Sequence, residues 1–420
     1  MKLYEHQQRA LQLTNGKNRV AYYLDMGLGK TYVASEKMKA LGAKVNLVIC
    51  QKSKLTDWYE HFSNYYKDYT TLIYSKTQHI PQEKVILIIN YDLVWRRPEL
   101  LKLKDFTLVL DESSYIKNET SKRCKFILKL KSKNVILLSG TPTGGKYEEL
   151  YSQLKLLGWD ISKKLYWDSF IKYVIMNIGG IPIKKVTGYK NTERLKHKLS
   201  EYGAVFMKTD EVFDLPEQVE QIVHCDVTSQ YKKFIKNRYV LIGEEELLGD
   251  MALNRLLYSR QLASQYNPDK LCKLQELMEG TEDRLIIFYS FNAELELIKA
   301  ICKKLKKPVS VVNGQNRDLS NYEKYSDSVT LIQYQAGAMG LNLQLSNKII
   351  YFSLPLSSEL FEQSKKRTHR IGQSRTCFYY YLVTNGWKDR KYHKSVDEMI
   401  FETLKMRKDF TDALFEKECR

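Results

Sequence analysis

The sequence predicts an α/β protein in which two parallel-sheet lobes follow one another, with a segment of helices and a hairpin between them. The length, two sets of short apolar runs and a differently patterned middle stretch indicate this fold class. At 420 residues the chain suits two domains with separate cores. Hydrophobic residues make up 43% of the chain, which is ordinary for a soluble globular protein, and no apolar run is long enough to span a bilayer.

The first lobe is predicted over residues 1–160. A strand ending at Leu24 precedes a helical pattern over residues 32–41, and four further apolar, β-branched runs follow. Runs of this kind, separated by helices, are typical of parallel strands that are covered on both faces. These four predicted strands are Val45–Cys50, Val85–Asn90, Thr107–Asp111 and Val135–Ser139.

The second lobe is predicted over residues 266–420 by the same reasoning. Its predicted strands are Leu285–Ser290, Val309–Asn313, Val329–Tyr334, Lys348–Ser353 and Phe378–Val383. The tail from Ser395 to Phe415 is predicted to form one amphipathic helix, because its apolar residues recur at helical spacing. The predicted apolar positions of this helix are Val396, Met399, Ile400, Leu404, Phe410 and Leu414.

The middle segment, residues 161–265, is predicted to be an insertion and linker without a core of its own. Helical patterns cover Trp167–Val174, Thr192–Glu201 and Thr228–Ile242. A hairpin is predicted over Asn177–Tyr189, because the Gly179-Gly180 pair is flanked by apolar residues. The segment therefore differs from both lobes in its pattern.

The charge balance indicates a polyanionic partner. The chain has 67 Lys and Arg residues against 49 Asp and Glu residues, a net charge of +18, and such an excess favours phosphate contacts with counterion release. A basic composition that serves only solubility is the alternative. The seven cysteines are scattered without a C-x-x-C pair, and the N-terminus lacks a secretion signal. We therefore expect reduced thiols and an intracellular location, in the cytoplasm or nucleoid.

A candidate phosphate-binding loop, Gly27-Leu28-Gly29-Lys30-Thr31, lies between the first predicted strand and helix. Glycines let backbone N–H groups approach phosphates, and a helix N-terminus favours negative charge. Lys30 is expected to neutralise phosphate oxygens, and the Thr31 hydroxyl to ligate Mg²⁺. The strict pattern fails at its first glycine, where Leu24 stands, so a simple turn at a helix start is the alternative.

Two adjacent carboxylates at a strand end support the first interpretation. Asp111 is expected to hold Mg²⁺, and Glu112 to orient and deprotonate an attacking water, since phosphoryl transfer needs positioning and charge neutralisation. Paired acids at a strand end are otherwise often a solvated edge. Ser139 and Thr141 follow the next strand, where their hydroxyls are expected to sense the γ-phosphate.

The second lobe carries candidate groups of its own. Gly340 closes a run of small residues after a strand, which allows close backbone approach to a ligand. Arg367 and Arg370 are three residues apart on a predicted helix, so that both are expected to reach one phosphate group and the transition-state charge. A basic surface helix is the alternative for this pair.

With these segments in order, the chain resembles the Swi/Snf family of DNA-dependent ATPases, in helicase superfamily two, over nearly its whole length. The stretch over residues 188–192 is similar to the branch that includes annealing helicases and fork remodellers. The segments that carry the resemblance are residues 3–7, 25–31, 48–53 with Trp58, 111–112 with 117–118, 138–142, 340–343 and, above all, His369-Arg370-Ile371-Gly372-Gln373.

The resemblance implies two RecA-like lobes that bind ATP with Mg²⁺ and translocate on double-stranded or branched DNA in replication, recombination or repair. Such proteins grip the phosphate backbone without reading sequence, and a monomer without membrane contact is expected. Gln373 joins Ser139 and Thr141 as a residue expected to couple hydrolysis to movement. The expected ATP-binding residues are Gln7 at the adenine base, Gly27, Leu28, Gly29, Lys30, Thr31 and Gly340. The expected DNA-binding residues are Lys52, Ser53, Asn90, Asn313 and Gln335.

One departure from the family pattern keeps a rival hypothesis open. Ser113-Ser114 follow the acidic pair where the family has Ala-His. The rival is a nucleotide-switched clamp that occupies DNA or a protein with little turnover. An RNA helicase of the same superfamily is disfavoured by the 369–373 segment. Histone-reading modules are lacking, which favours a compact bacterial, archaeal or viral enzyme.

Overall fold

The computed structural model describes residues 2–74, 84–178, 181–337 and 341–415. The chain forms two compact units. Unit 1 comprises the chain up to Phe213 together with the residues from Arg407 onward, and unit 2 comprises Asp214–Met406. Among the helices of the described residues, none is both long and apolar enough to cross a membrane.

Unit 1 is built on a parallel sheet. The strands of unit 1 are β1 (Arg19–Leu24), β2 (Val45–Cys50), β3 (Thr70–Ile73), β4 (Val85–Asn90), β5 (Thr107–Asp111), β6 (Asn134–Ser139), β7 (Ile171–Ile178), β8 (Ile181–Tyr189) and β9 (Ala204–Met207). Of these, β7 and β8 form a separate hairpin. Within the described residues the sheet has seven strands in the order β3-β4-β2-β5-β6-β1-β9. Every neighbouring pair in this sheet is parallel, as predicted.

Helices cover both faces of this sheet. They are α1 (Glu5–Leu13), α2 (Lys30–Leu41), α3 (Leu55–Tyr65), α4 (Tyr91–Val94), α5 (Lys122–Ile127), α6 (Tyr151–Leu157), α7 (Lys163–Phe170) and α8 (Thr192–Glu201). Alternate side chains of β1 enter different cores, because successive strand residues point to opposite faces. Val20 and Tyr22 lie in one core, whereas Ala21 and Tyr23 lie in the other.

Unit 2 contains a second parallel sheet. Its strands are β10 (Gln218–Cys225), the hairpin strands β11 (Tyr239–Ile242) and β12 (Glu245–Leu248), β13 (Leu285–Tyr289), β14 (Val309–Val312), β15 (Val329–Gln333), β16 (Lys348–Tyr351), β17 (Cys377–Thr384), β18 (Trp387–Lys388) and β19 (Tyr392–His393). Six of them pair in the order β10-β17-β16-β13-β15-β14 within the described chain. The helices are α9 (Ser229–Asn237), α10 (Ala252–Ala263), α11 (Pro268–Glu279), α12 (Asn292–Lys304), α13 (Ser320–Lys324), α14 (Tyr334–Gly337), α15 (Ser358–Lys365) and α16 (Val396–Phe415), which belongs to unit 2 as far as Met406. The predicted α/β class with two parallel-sheet lobes is confirmed.

The segment 161–265 differs from its prediction. It contains β9 and β10, which join the first and the second sheet respectively. The predicted helix over residues 167–174 is wrong in its second half, because a strand begins at Ile171 and pairs with β8. The predicted helix over residues 228–242 ends at Asn237, since Arg238 adopts the left-handed φ of 59° and β11 follows. The Gly179-Gly180 turn lies outside the described residues.

The predicted C-terminal helix is confirmed as α16. Val396, Ile400 and Leu404 are buried as expected, but Met399 is exposed. Phe401, which the pattern did not include, is buried instead. The side chains of Phe410 and Leu414 lie outside the described residues.

Candidate active site

The strand order of unit 1 gathers the predicted nucleotide residues at one sheet edge. Strands β5, β6 and β1 are neighbours, and Asp111 pairs with Leu138 while Tyr23 pairs with Ser139. Because the three strands are parallel, their carboxyl ends meet at the same edge, where ligands of open α/β sheets bind. The phosphate loop, the acidic pair and the Ser139–Thr141 loop therefore start side by side.

The phosphate loop is shaped by glycines in the left-handed region. Gly27 has φ 87° and Gly29 has φ 72°, and Gly29 caps the N-terminus of α2. The Lys30 ammonium donates to the carbonyl oxygens of Leu24 and Asp25, at 2.9 and 3.2 Å. These bonds hold the loop folded back over its own lysine.

Two further segments hold the loop in place. The Gln7 amide nitrogen donates to the Leu28 carbonyl oxygen at 3.2 Å, and the same carbonyl lies 3.0 Å from His6 Nε2. On the other side, the Asp25 carboxylate accepts from the backbone N–H and the hydroxyl of Thr209, just beyond β9. Gln7 is thus buried against the loop, and its contact with an adenine base stays a prediction.

Asp111 lies in a site where burial disfavours its ionised carboxylate. Burial raises the pKa of the Asp111 carboxyl, although the Trp58 hydrogen bond and nearby Lys30 lower it in part. Trp58 Nε1 donates to Asp111 Oδ2 at 2.8 Å. A carboxylate that is costly to bury gains from a bound cation, so the residue suits a Mg²⁺ ligand. Thr31, at the start of α2, supplies a hydroxyl oxygen of the kind that Mg²⁺ prefers.

Glu112 is fixed by the structure around it. Its φ of 58° is rare for a residue with a side chain and costs of order 1–3 kcal/mol. The Tyr91 hydroxyl donates to the carbonyl oxygens of Asp111 and Glu112, at 3.0 and 3.3 Å. Such strain persists where neighbouring contacts determine the backbone.

The Glu112 carboxylate is linked to the next loop. The Ser139 hydroxyl donates to Glu112 Oε1 at 2.5 Å, and the Ser114 hydroxyl donates to the same oxygen at 3.3 Å. Ser139 Oγ in turn accepts from the backbone N–H of Thr141 at 3.1 Å. A direct hydrogen bond therefore joins the acidic pair to the Ser139 loop, although Ser113-Ser114 stand where Ala-His was expected.

Gln153 is a site residue that the sequence analysis missed. Its Oε1 accepts from the hydroxyls of Ser113 and Tyr23, at 2.7 and 2.9 Å, and its Nε2 donates to the Pro142 carbonyl oxygen at 2.9 Å. Gln153 is fully buried on α6. The signal available in the sequence was a polar residue at a helix position where the spacing of the apolar residues predicts burial. Gln153 connects the acidic motif to the 139–143 loop.

The predicted arginine pair in unit 2 does not lie on a helix. Helix α15 ends at Lys365, so Arg367 and Arg370 lie in the turns that follow, and the shared helix face is wrong. Tertiary hydrogen bonds explain this ending. The Arg367 carbonyl accepts from the Leu343 N–H at 3.2 Å, and His369 Nε2 lies 2.8 Å from the Pro216 carbonyl oxygen.

The two arginines differ in their surroundings. Arg367 is buried. Arg370 donates to the Asn342 side-chain oxygen, and burial lowers the pKa of its guanidinium. Gln373 Nε2 donates to the carbonyls of Gln344 and Ser346, at 3.1 and 2.9 Å, and thereby ties the arginine turns to the 341–346 segment. Gly340 lies outside the described residues.

The predicted DNA-binding residues divide into exposed and capping side chains. Lys52 and Ser53 are exposed beyond β2. Asn90 is buried, and its Oδ1 caps α4 by accepting from two backbone N–H groups. Asn313 Oδ1 similarly accepts from the backbone of the turn after β14. The side chain of Gln335 lies outside the described residues, and contact of all five with DNA stays a prediction.

Two family models match this sequence. The SNF2-related domain matches residues 20–279, and the helicase conserved C-terminal domain matches residues 268–372. The first match alone covers more than half of the chain.

Individual proteins are similar over much of the chain. The DNA repair and recombination protein RAD26 of Saccharomyces cerevisiae is 27% identical over 74% of this chain and 32% of its own length. The DNA annealing helicase and endonuclease ZRANB3 of Homo sapiens is 24% identical over 89% of this chain and 37% of its own length. The chain thus spans about a third of each of these relatives. A solved Sulfolobus solfataricus SWI2/SNF2 ATPase core in complex with dsDNA is 23% identical, covers 98% of this chain and 92% of that chain, and has a TM-score of 0.46.

Proposed function

Because this chain belongs to the family built on the SNF2-related domain, we propose that it is an ATP-dependent translocase on double-stranded DNA. The observation that carries the proposal is that Ser139 and Ser114 hold the Glu112 carboxylate by hydrogen bonds. This carboxylate lies at the sheet edge where the phosphate loop also begins. A net charge of +18 supports a partner that is rich in phosphates. The rival clamp needs no such orientation of a proton acceptor.

Unit 1 supplies the groups that bind the nucleotide. The Lys30 ammonium leaves its loop carbonyls and neutralises phosphate oxygens, while the N–H groups at the start of α2 donate to them. Asp111 and Thr31 would hold Mg²⁺, which when bound would neutralise charge that develops on the transferred phosphoryl group. Among the described residues no cluster of three or more His, Cys, Asp or Glu side chains could hold a metal, and Mg²⁺ typically uses one or two protein ligands plus substrate phosphates.

Glu112 performs the proton transfer of the reaction. Water oxygen attacks the γ-phosphorus, the bond to the β–γ bridging oxygen breaks, and the water proton moves to the Glu112 carboxylate. The Ser139 hydroxyl, which donates to that carboxylate, reports the change to the 139–143 loop. We assign Arg370 and Arg367 to the stabilisation of the transition-state charge, since a guanidinium offers a fixed planar set of donors.

The same proposal covers the partner and setting. The chain acts as a monomer on double-stranded or branched DNA, within the cell, and grips the backbone through phosphate contacts at residues such as Lys52 and Ser53. Each cycle of ATP binding and hydrolysis advances the duplex by a small step.

The test compares ATP hydrolysis with and without duplex DNA for the wild type, Glu112→Gln and the surface control Glu60→Gln. We expect DNA to stimulate the wild type and the control, and Glu112→Gln to lower kcat by at least about a hundredfold while ATP still binds. Arg370→Ala should give the same separation of binding from turnover, since it acts on the transition state. A wild type that DNA does not stimulate, together with an unchanged Glu112→Gln variant, would establish the clamp instead.

A further inference from the structure

The β7–β8 hairpin of unit 1 exposes an unusual amount of apolar surface. Within the described residues its strands pair with each other and with no third strand. A two-stranded ribbon in water is marginally stable unless it packs against another element. Yet Val174, Ile175, Met176 and Ile183 are 47%, 64%, 41% and 45% exposed. Clustered apolar exposure of this kind marks an interaction surface.

The pairing register distributes these side chains over both faces of the ribbon. Met176 lies opposite Ile183, and Ile175 lies opposite Lys184. Directly paired residues share a face and successive residues alternate, so the two pairs occupy opposite faces. Exposed apolar side chains therefore lie on both faces of the ribbon. One additional covering layer would not bury all of them.

The charge of the hairpin selects an anionic partner. Residues 171–190 include four lysines, at positions 172, 184, 185 and 190, and no Asp or Glu. Lys184 Nζ lies 4.1 Å from the centre of the Tyr173 ring and 5.1 Å from that of Trp167, which holds its charge beside the apolar surface. An apolar face beside several lysines suits nucleic acid, whose bases receive apolar wedges while phosphates receive lysines.

The base of the hairpin is anchored on the segment that follows the Ser139–Thr143 loop. The Tyr189 ring stacks on the Tyr147 ring at 4.2 Å, and the Tyr189 hydroxyl donates to Glu148 at 2.8 Å. The buried Tyr147 also accepts, through its carbonyl, from the Tyr166 hydroxyl at 2.6 Å. Tyr147 follows the Ser139–Thr143 loop by four residues. The hairpin is thus fixed to the segment that leaves this loop.

We propose that the β7–β8 hairpin reads DNA branch points, where its apolar side chains contact unstacked bases and its lysines hold the adjoining phosphates. A continuous duplex keeps its bases stacked and offers the apolar residues little, whereas a junction presents base faces. The inference rests on the proposed DNA translocase and adds the substrate feature that this unit prefers.

The first test measures binding without hydrolysis, so that it stands apart from the ATPase. A four-way junction with 2-aminopurine at the branch is titrated with the full chain, and a blunt duplex of the same base pairs is the comparison. We expect the wild type to raise the junction fluorescence and to bind the junction at least about tenfold more tightly, which is about 1.4 kcal/mol. No preference for the junction overturns the inference, even if duplex DNA stimulates ATP hydrolysis.

The second test changes the hairpin. Ile175→Thr, Met176→Thr and Ile183→Thr together keep strand-compatible residues and should abolish the fluorescence rise and the junction preference, with duplex affinity within about twofold of wild type. Leu13→Gln with Leu101→Gln, which changes two exposed leucines elsewhere in unit 1, should alter neither.

A lysine variant keeps the test decisive if the apolar variant does not fold. Lys184→Gln with Lys185→Gln leaves the apolar residues in place and should weaken junction binding more than duplex binding. Equal weakening on both DNAs would mean a general duplex contact and overturn the inference. A change in oligomeric state with unchanged DNA binding would assign the hairpin to a second copy of the chain and would also overturn it.

Discussion

Gln153 shows how one buried side chain can organise a site. Its amide makes three hydrogen bonds, to Ser113, Tyr23 and the Pro142 carbonyl, in a fully buried location. A buried polar group that loses its partner costs about 1–3 kcal/mol. Removal of the amide should therefore affect both stability and the position of the 139–143 loop.

We predict that Gln153→Leu lowers kcat about tenfold and leaves KM within about twofold, because a displaced loop affects the transition state more than ATP binding. Steady-state kinetics and thermal melting provide the measurement. The control is Ser152→Ala, which removes the buried bond to the Ile116 carbonyl one residue away. Adding Ser113→Ala and Tyr23→Phe to Gln153→Leu should recover part of the stability but not kcat. An equal kcat loss in Ser152→Ala would contradict the role of Gln153.

Asp111 gives a prediction with a defined pH dependence. Burial raises the pKa of its carboxyl in the folded state, so the folded protein binds this proton more tightly than the unfolded chain. The ionised form consequently lowers stability above the ordinary carboxyl pKa, and the cost disappears as the pH falls below both pKa values.

We therefore expect Asp111→Asn, without nucleotide, to raise the melting temperature by about 2 °C at neutral pH while it abolishes ATP hydrolysis. The gain should shrink as the pH falls through the raised pKa of the folded-state carboxyl, and it should vanish below the ordinary Asp pKa of about 3.9. Melting curves across this pH range are the measurement. A melting temperature that falls in Asp111→Asn at neutral pH would show that the carboxylate is stabilised by its surroundings.

At the scale of elements, a buried ion pair joins two helices of unit 2. Lys270 Nζ on α11 lies 2.6 Å from Asp397 Oδ2 on α16, and the side chains are 0% and 5% exposed. Asp397 Oδ2 also accepts from the Thr384 N–H at 3.0 Å, and Lys270 Nζ donates to the Ala263 carbonyl at 3.2 Å. The pair thus connects α11, α16, β17 and the end of α10.

We predict that Lys270→Met lowers the stability of unit 2 by about 3–5 kcal/mol, because it leaves the Asp397 charge buried without its cation. Denaturant unfolding of the full chain should show the loss in the transition that belongs to unit 2. The control Lys273→Met, which changes a partly exposed lysine of the same helix, should leave this transition close to its wild-type position. Lys270→Met combined with Asp397→Leu should recover much of the loss, and failure to do so would mean that packing causes it.

Predicted and observed elements agree where a local apolar run defines a strand, and they differ where contacts with another segment decide the structure. Strands such as Val45–Cys50 and Val85–Asn90 match their predictions residue by residue, since runs buried on both faces are almost entirely apolar. Helices were overextended at residues 171–174 and 238–242, where pairing with another strand decides the structure: Tyr173 and Val174 pair with β8, and β11 pairs with β12. The arginine turns after Lys365 follow this rule too, because the Arg367 carbonyl bonds Leu343 rather than the next helical turn.

At the scale of the whole molecule, the excess of positive charge leads to the last prediction. With a net charge of +18, DNA binding should release counterions. The DNA concentration that half-saturates ATPase stimulation should rise about a thousandfold between about 50 and 200 mM salt. Hydrolysis without DNA should change far less over this range, which makes it the internal control. A half-saturating concentration that is independent of salt would exclude phosphate contacts as the main source of affinity.

The amino-acid sequence was sufficient to predict the α/β class, the two sheets, most strand positions and the places of the candidate phosphate loop and acidic pair, because these depend on local apolar patterns and short motifs. Only the tertiary structure decided which strands are neighbours, that Ser139 bonds Glu112, that Gln153 joins two loops and that the hairpin is apolar and exposed. These features depend on contacts between residues far apart in the chain, and no local pattern specifies such contacts.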